Sequence, residues 1–400
     1  MNTKIKSLFT ISLAALAAQI STADETVNGT LTVQGNLDVT GILKVGGATS
    51  ATTGSIAIGQ NSQATEYGSF AQGESAKSLA QYSFAFGSQT EVRSGSFSFA
   101  FGDGAHVNSS ECFAMGIDAW IGTGSGGSYL LGSECAMIAN YSYASYVLGG
   151  GGSRIEGYSQ RSYILGYESY IDSNSPDNYV FGKEIFVRGS SNYAIGEMAF
   201  VYGNNNYAFG KYASVGYYRE DDGYIAASNS YAFGNGSEAF GNNAYAIGYA
   251  SHIDFSGTNS YAIGRYTYTG APRSYAIGDG ATTDGTDGYA IGKNVYAGVS
   301  NSYVFGEESF AMGEKSYVFG RNLESRYFGE FIIGSFNEIN PSYYGGIWRP
   351  QDPLFTVSNG EDENNRSNAF IIYKSGDIVI SKRQGDIYMG DFGNEGDIEP

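Results

Sequence analysis

One pentapeptide constrains this 400-residue chain more than any other feature. It reads SYAIG at 260–264 and again at 274–278, GYAIG at 288–292, and SYVFG at 302–306 and 316–320. Upstream it is SFAFG at 83–87, SYVLG at 145–149, SYILG at 162–166 and NYAIG at 192–196. The glycine closing each unit falls at 59, 73, 87, 102, 116, 132, 149, 166, 182, 196, 210, 234, 248, 264, 278, 292, 306, 320 and 334. Most steps are 14, a few are 15 to 17, and one, from Gly210 to Gly234, is 24. A short period kept this long signals stacked repeats rather than two or three compact domains.

Strand geometry gives each letter a direction. In Ser-Tyr-Ala-Ile-Gly, Tyr and Ile lie two apart and point one way, while Ala points the other. Half a period later comes a weaker copy, such as SQA at 62–64, SEAFG at 237–241 or SFAMG at 309–313. Fourteen residues then make two short strands and two tight turns, one coil of a narrow parallel β-roll. The expected fold is all-β. Roughly 20 coils at about 4.8 Å each form a rod about 95 Å long. Alanine suits the thin interior. Tyr245, Ile247, Tyr261, Ile263, Tyr275, Ile277, Tyr289 and Ile291 form outward ladders. Such a stripe exceeds the few hundred Å² of exposed apolar surface a monomer tolerates, so self-association around an axis is expected.

Composition agrees. Gly 58 and Tyr 34 against Pro 6 argue against collagen and against a proline-rich linker, and 42% hydrophobic residues supply a core. A net charge of −18 disfavours nucleic acid and anionic membranes as partners.

The ends differ from the middle. Lys4 and Lys6, an apolar run from Leu8 to Ala18, and Ser21-Thr22-Ala23 before Asp24 read as a secretory signal peptide over 1–23. The run is too short to span a bilayer, and no other stretch offers a membrane segment. Residues 24–54 carry a six-residue period: Gly29, Gly35, Gly41 and Gly47, with Leu31, Leu37 and Leu43 two behind and Val33, Val39 and Val45 two further. This reads as stacked strands before the main repeat at 55–334. A linker is expected at 335–352, rich in proline, and a β segment with an acidic tail at 353–400, with a turn at Lys374-Ser375-Gly376-Asp377.

SIAIG at 55–59, SFAFG at 83–87 and SYAIG at 260–264, spaced by about 14, resemble the head repeat of trimeric autotransporter adhesins, the YadA-like head. The resemblance covers about 55 to 334. It implies a left-handed parallel β-roll, a homotrimer, and a role at the bacterial surface in adhesion to host matrix, glycan or other cells. The position usually held by Val is here mostly Tyr or Phe, as at Phe84, Tyr129, Tyr163, Tyr193, Tyr245, Tyr275 and Tyr303, which implies a wider seam between subunits. LFTVSNG at 354–360 and NRSNAFIIYKSGDIVI at 365–380 resemble the β segment that often follows such heads in surface and tail-fibre-like proteins. Neither a heptad stalk nor the alternating strands of a barrel anchor is read before Pro400, so retention by a partner, or release, is expected.

The longer steps are expected to be outward loops, where binding most often resides. The longest holds Tyr217, Tyr218, Arg219, Glu220, Asp221 and Asp222, aromatics beside charges that suit a contact patch. Chemistry is sparse elsewhere. His106 and His252 lie in different coils and are expected in solvent-facing turns. Cys112 and Cys135 sit at different phases of the repeat; export permits a disulfide, but two small buried thiols are expected. Asp279, Asp284 and Asp287 lack the spacing of a Ca²⁺ loop. No cofactor or metal is expected, and no catalytic set stands out. Three other readings stay open: a purely structural filament, a tail-fibre protein, and a glycan-cleaving solenoid.

Overall fold

The computed structural model describes residues 43–48, 50–52, 54–132, 134–219, 223–340 and 346–380. The signal peptide, most of the six-residue repeat, Glu220, Asp221, Asp222 and the acidic tail lie outside them. Among the described residues there is no helix. The chain is a parallel β-solenoid. Each coil gives a long strand to a 23-stranded sheet and a short strand to a second sheet. Like stacks on like: Tyr261 opposes Tyr275, Ala262 Ala276, Ile263 Ile277 and Gly264 Gly278. The first long strand, Leu43–Val45, pairs with Ile56–Ile58, so the roll begins ahead of residue 55.

The interior is one inward residue from each strand. Ala246, Ala262, Ala276 and Ala290 from long strands face Ile253, Thr269, Thr283 and Ala297 from short ones, all fully buried. The Thr269 and Thr283 hydroxyls have no partner there. A buried unpaired hydroxyl is destabilising, so Thr283→Val is expected to stabilise the chain by about 1 kcal/mol in denaturant unfolding.

The serine opening the motif is a second buried column. Ser274 N donates to Ser260 Oγ at 3.0 Å, and Ser274 Oγ donates to the Gly285 carbonyl at 2.9 Å. Asn178, Asn192 and Asn206 do the same, each side-chain oxygen taking the N–H of the next coil's corner residue at 2.9–3.0 Å. The corners of these coils are thus hydrogen-bonded from within the chain.

The longer steps between Gly116 and Gly182 are not outward loops. Their extra residues widen the coil and add a further buried corner at Ser125, Ser142, Ser159 and Ser175. Ser142 N donates to Ser125 Oγ at 3.1 Å and Ser159 N to Ser142 Oγ at 3.2 Å. The wider lumen holds larger side chains: Leu130, Val147, Ile164 and Val180 face Ile138, Ile155, Ile171 and Val187. Close packing demands that volume and circumference grow together.

Past the last coil, Pro353–Asn359 pairs in parallel with Phe331–Ser335. It then turns back as Asn368–Tyr373 and Ile378–Ile380 in antiparallel register. The junction buries ionisable groups. Glu330 occupies a corner that serine holds in earlier coils, is 3% exposed, and accepts the N–H groups of Arg326 and Tyr327 at 3.1 and 3.4 Å. Burial pushes its carboxyl up to about 8. Lys374, its side chain fully buried 3.6 Å from Asp352, is pushed down by the same cause. A carboxyl raised above its unfolded value of about 4.5 gives stability that is full below that value and lost as pH rises through 8. Unfolding of the C-terminal strands, followed by hydrogen exchange, is therefore expected to become easier between pH 5 and pH 8, and Glu330→Gln is expected to flatten that dependence.

Candidate functional site

Three surfaces carry the side chains that sequence reasoning singled out. The first is the outer face of the long-strand sheet. Tyr129, Tyr146, Tyr163, Tyr179, Tyr193, Tyr207, Tyr231, Tyr245, Tyr261, Tyr275, Tyr289, Tyr303 and Tyr317 stack in one unbroken ladder. Ring centroids are 4.6–5.2 Å apart and planes within 9° of parallel. Tyrosine follows from geometry: the interstrand spacing of about 4.8 Å is close to a stacking distance, so each ring covers its neighbour's face. Burial by neighbouring rings pushes the phenols of Tyr146, Tyr179, Tyr245, Tyr289 and Tyr303 above their ordinary value.

Beside it runs a second column holding Ile247, Ile263, Ile277 and Ile291 in register. In the wider coils it continues as Met115, Leu131, Leu148 and Leu165, which are exposed, Leu165 at 50%. The expected Tyr and Ile ladder residues therefore share one face. Beyond the glycines lies a column of alternating charge: Arg265, Asp279, Lys293, Glu307 and Arg321 oppose one another coil by coil. Arg265 pairs with Asp279, and Lys293 Nζ lies 3.0 Å from Glu307. This column was not singled out from the sequence, although the residue after each closing glycine spells it out.

The second surface is the hairpin inside the 24-residue step. Tyr217–Arg219 pairs antiparallel with Gly223–Ile225. Tyr217 packs on Phe240 at 4.9 Å, and Tyr218, 55% exposed, packs on Tyr224 at 4.9 Å. Tyr224 in turn meets Tyr202 at 5.1 Å. The two predicted tyrosines are thus parted: one is seated on the roll and the other faces solvent. Asp221 and Asp222 lie outside the described residues.

The third is the outer face of the short-strand sheet. Both histidines lie here, in the strands His106–Val107 and His252–Ile253 rather than in turns. Each sits beside a carboxylate of the preceding coil, His106 Nδ1 3.5 Å from Glu91 and His252 Nδ1 2.7 Å from Glu238. The three aspartates of 278–288 do not converge: Asp279 pairs with Arg265, Asp287 with Arg273, and Asp284 takes the Tyr296 hydroxyl. Both cysteines are free. Cys112 fills a serine corner, and burial raises its thiol. Cys135 is exposed, contrary to expectation, because it sits in a left-handed turn with φ 65°.

The family model described as YadA head domain repeat (2 copies) matches residues 46–62, 53–71, 64–90, 227–251 and 270–294. These matches fall on coils of one continuous register and support a YadA-like head domain. No curated protein matches it. No helix among the described residues is long and apolar enough to cross a membrane.

Proposed function

We propose that this chain is an exported bacterial surface or extracellular protein that self-associates as a homotrimer and acts as an adhesin-like binding module rather than an enzyme. The observation that carries the reading is the two-column aromatic and aliphatic face. It runs from Tyr129 to Tyr317 with large apolar side chains left open to solvent in the single chain. A stripe of that extent marks an interaction surface. The YadA-like head supports sister chains as its occupant. The hairpin and the short-strand face lie off that stripe and are left to a matrix protein or a glycan. Sedimentation of residues 24–400 tests the reading: an elongated trimer is expected, and a monomer at micromolar concentration overturns it.

A structural filament is the second reading, favoured by the uninterrupted register of the tyrosine ladder. Deleting 217–225 separates the two: loss of attachment to matrix- or glycan-coated surfaces with the trimer intact supports adhesion. Concentration-dependent filaments with no attachment support the alternative.

A further inference from the structure

Stacking alone does not explain the tyrosine ladder. The same outward column is phenylalanine at Phe84, Phe99 and Phe113 before the ladder and at Phe331 and Phe355 after it, in continuous register. Phe84 and Phe99 stack as the tyrosines do, with ring centroids 4.9 Å apart and planes 3° from parallel. A flat ring therefore suffices for the packing, and the hydroxyl is a separate property. From Tyr129 to Tyr317 it is present on every ring, with each ring 4.6–5.2 Å from the next. Phe113 and Phe331 bound this run of phenols at its two ends.

A phenol differs from a plain benzene ring in its redox chemistry. It gives up an electron together with its hydroxyl proton, and the benzene ring resists the same oxidation. The ladder phenols are protonated at neutral pH, since a tyrosine titrates near 10. Burial pushes Tyr146 and Tyr245 above that value, and the two ladder neighbours of each push the same way. Adjacent rungs thus feel one another's charge. Passing an electron vacancy from one tyrosine to the next exchanges two like partners, so no step is uphill. Parallel stacked rings place their π-systems face to face for the transfer.

We propose that the ladder from Tyr129 to Tyr317 is a relay for one-electron oxidation, carrying the vacancy left by an oxygen-centred radical along the rod, about 58 Å in twelve steps of ~4.8 Å. At entry a carbonate or peroxyl radical takes the phenolic hydrogen atom of one tyrosine. The O–H bond breaks, the oxidant is reduced to bicarbonate or hydroperoxide, and a tyrosyl radical remains. In each step the next ring gives an electron to that radical. Its own hydroxyl proton leaves to water, and the first oxygen takes a proton from water. Hydroxyls one coil apart, about 4.8 Å, are too distant for a direct hydrogen bond, so water carries the proton. At exit a soluble thiol or enediol reductant returns a hydrogen atom at an exposed rung, such as Tyr129, 44% exposed, or Tyr317, 39% exposed. The net change moves one hydrogen atom from reductant to oxidant and leaves the chain unaltered. The relay does not rest on the adhesin reading, and the loss of either leaves the other standing.

The test uses the full chain. Cys135 is exposed and Cys112 buried, so a thiol-reactive ruthenium photo-oxidant attaches at Cys135, just past the strand Tyr129–Gly132. At the far end Tyr317 is replaced by 3-aminotyrosine, which is oxidised more easily than tyrosine and whose radical has its own electron paramagnetic resonance spectrum. A flash with a sacrificial electron acceptor, followed by freezing, is expected to give the aminotyrosyl radical at 317, in a yield independent of protein concentration. Tyr193→Phe combined with Tyr207→Phe and Tyr231→Phe keeps the stack but opens a gap of four steps, about 19 Å. The distal yield is expected to fall at least tenfold. Tyr202→Phe with Tyr224→Phe, which removes phenols at the same height off the ladder, is expected to leave the yield unchanged. Circular dichroism verifies that each variant keeps its fold. Absence of the aminotyrosyl radical in the unbroken ladder, an undiminished yield in the triple variant, an equal loss in the off-ladder pair, or a yield that rises with protein concentration overturns the proposal.

Discussion

Gly264→Ala is expected to break the roll at the coil that carries it. Gly264 has φ +137°, a region closed to side chains, and a Cβ there would lie 1.8 Å from the carbonyl oxygen of Gly278. That oxygen belongs to backbone held in the ladder, where Gly278 is paired with Gly264 on one side and with Gly292 on the other. Backbone strain and overpacking each cost on the order of 1–3 kcal/mol, so a loss of roughly 3–5 kcal/mol is expected. In a stacked repeat the damage stays with nearest neighbours. Limited proteolysis should therefore cut near residue 264, and denaturation should resolve into two transitions. A single transition with wild-type midpoint would show that the glycine column is dispensable.

Ile263→Asp combined with Ile277→Asp is expected to take the proposed trimer apart without unfolding the chain. Both side chains point outward from long strands and are only half-buried in the single chain, so the monomer gives up little, on the order of 1 kcal/mol per site from strand preference. In the assembly, two carboxylates would be buried without partners, at several kcal/mol each. Sedimentation is expected to fall from trimer to monomer while the β-sheet circular dichroism persists. A variant that stays trimeric would place the seam elsewhere on the roll and leave the tyrosine ladder as an outer surface.

Much of the fold was legible because a parallel stack repeats one decision about twenty times. Outward Tyr, inward Ala and terminal Gly each follow from the two-residue alternation, which no long-range contact can override when every neighbour is a copy. Serine was not legible. Its buried corner role depends on a hydrogen bond to the next coil, a relation between repeats rather than within one. The widened coils were misread for a similar reason. Sequence shows only that residues were added between Gly116 and Gly182, not that Ser125 and Ser142 would turn inward and let Ile138 and Ile155 replace alanine-sized side chains. Side-chain placement at the candidate sites was less legible than the fold. Tyr217 and Tyr218 were read as one patch, but a hairpin splits alternate residues to opposite sides. Asp284 was weighed only as a metal ligand. Its bond to the Tyr296 hydroxyl becomes visible only once the register between coils is known.

The change in bore along the roll has a mechanical consequence. Coils from Gly116 to Gly182 are filled by Leu, Ile and Val, whereas those from Gly264 to Gly292 are filled by Ala and Thr. Tension along the axis loads the hydrogen bonds between coils directly, so a pulled rod lengthens by peeling coils from an end. Each wide coil has more buried side chain to withdraw, so the thick section holds while the slender one yields. If the chain acts as the proposed adhesin, a cell tethered through this rod would feel a compliant element, the coils from Gly264 to Gly292, in series with a stiff one.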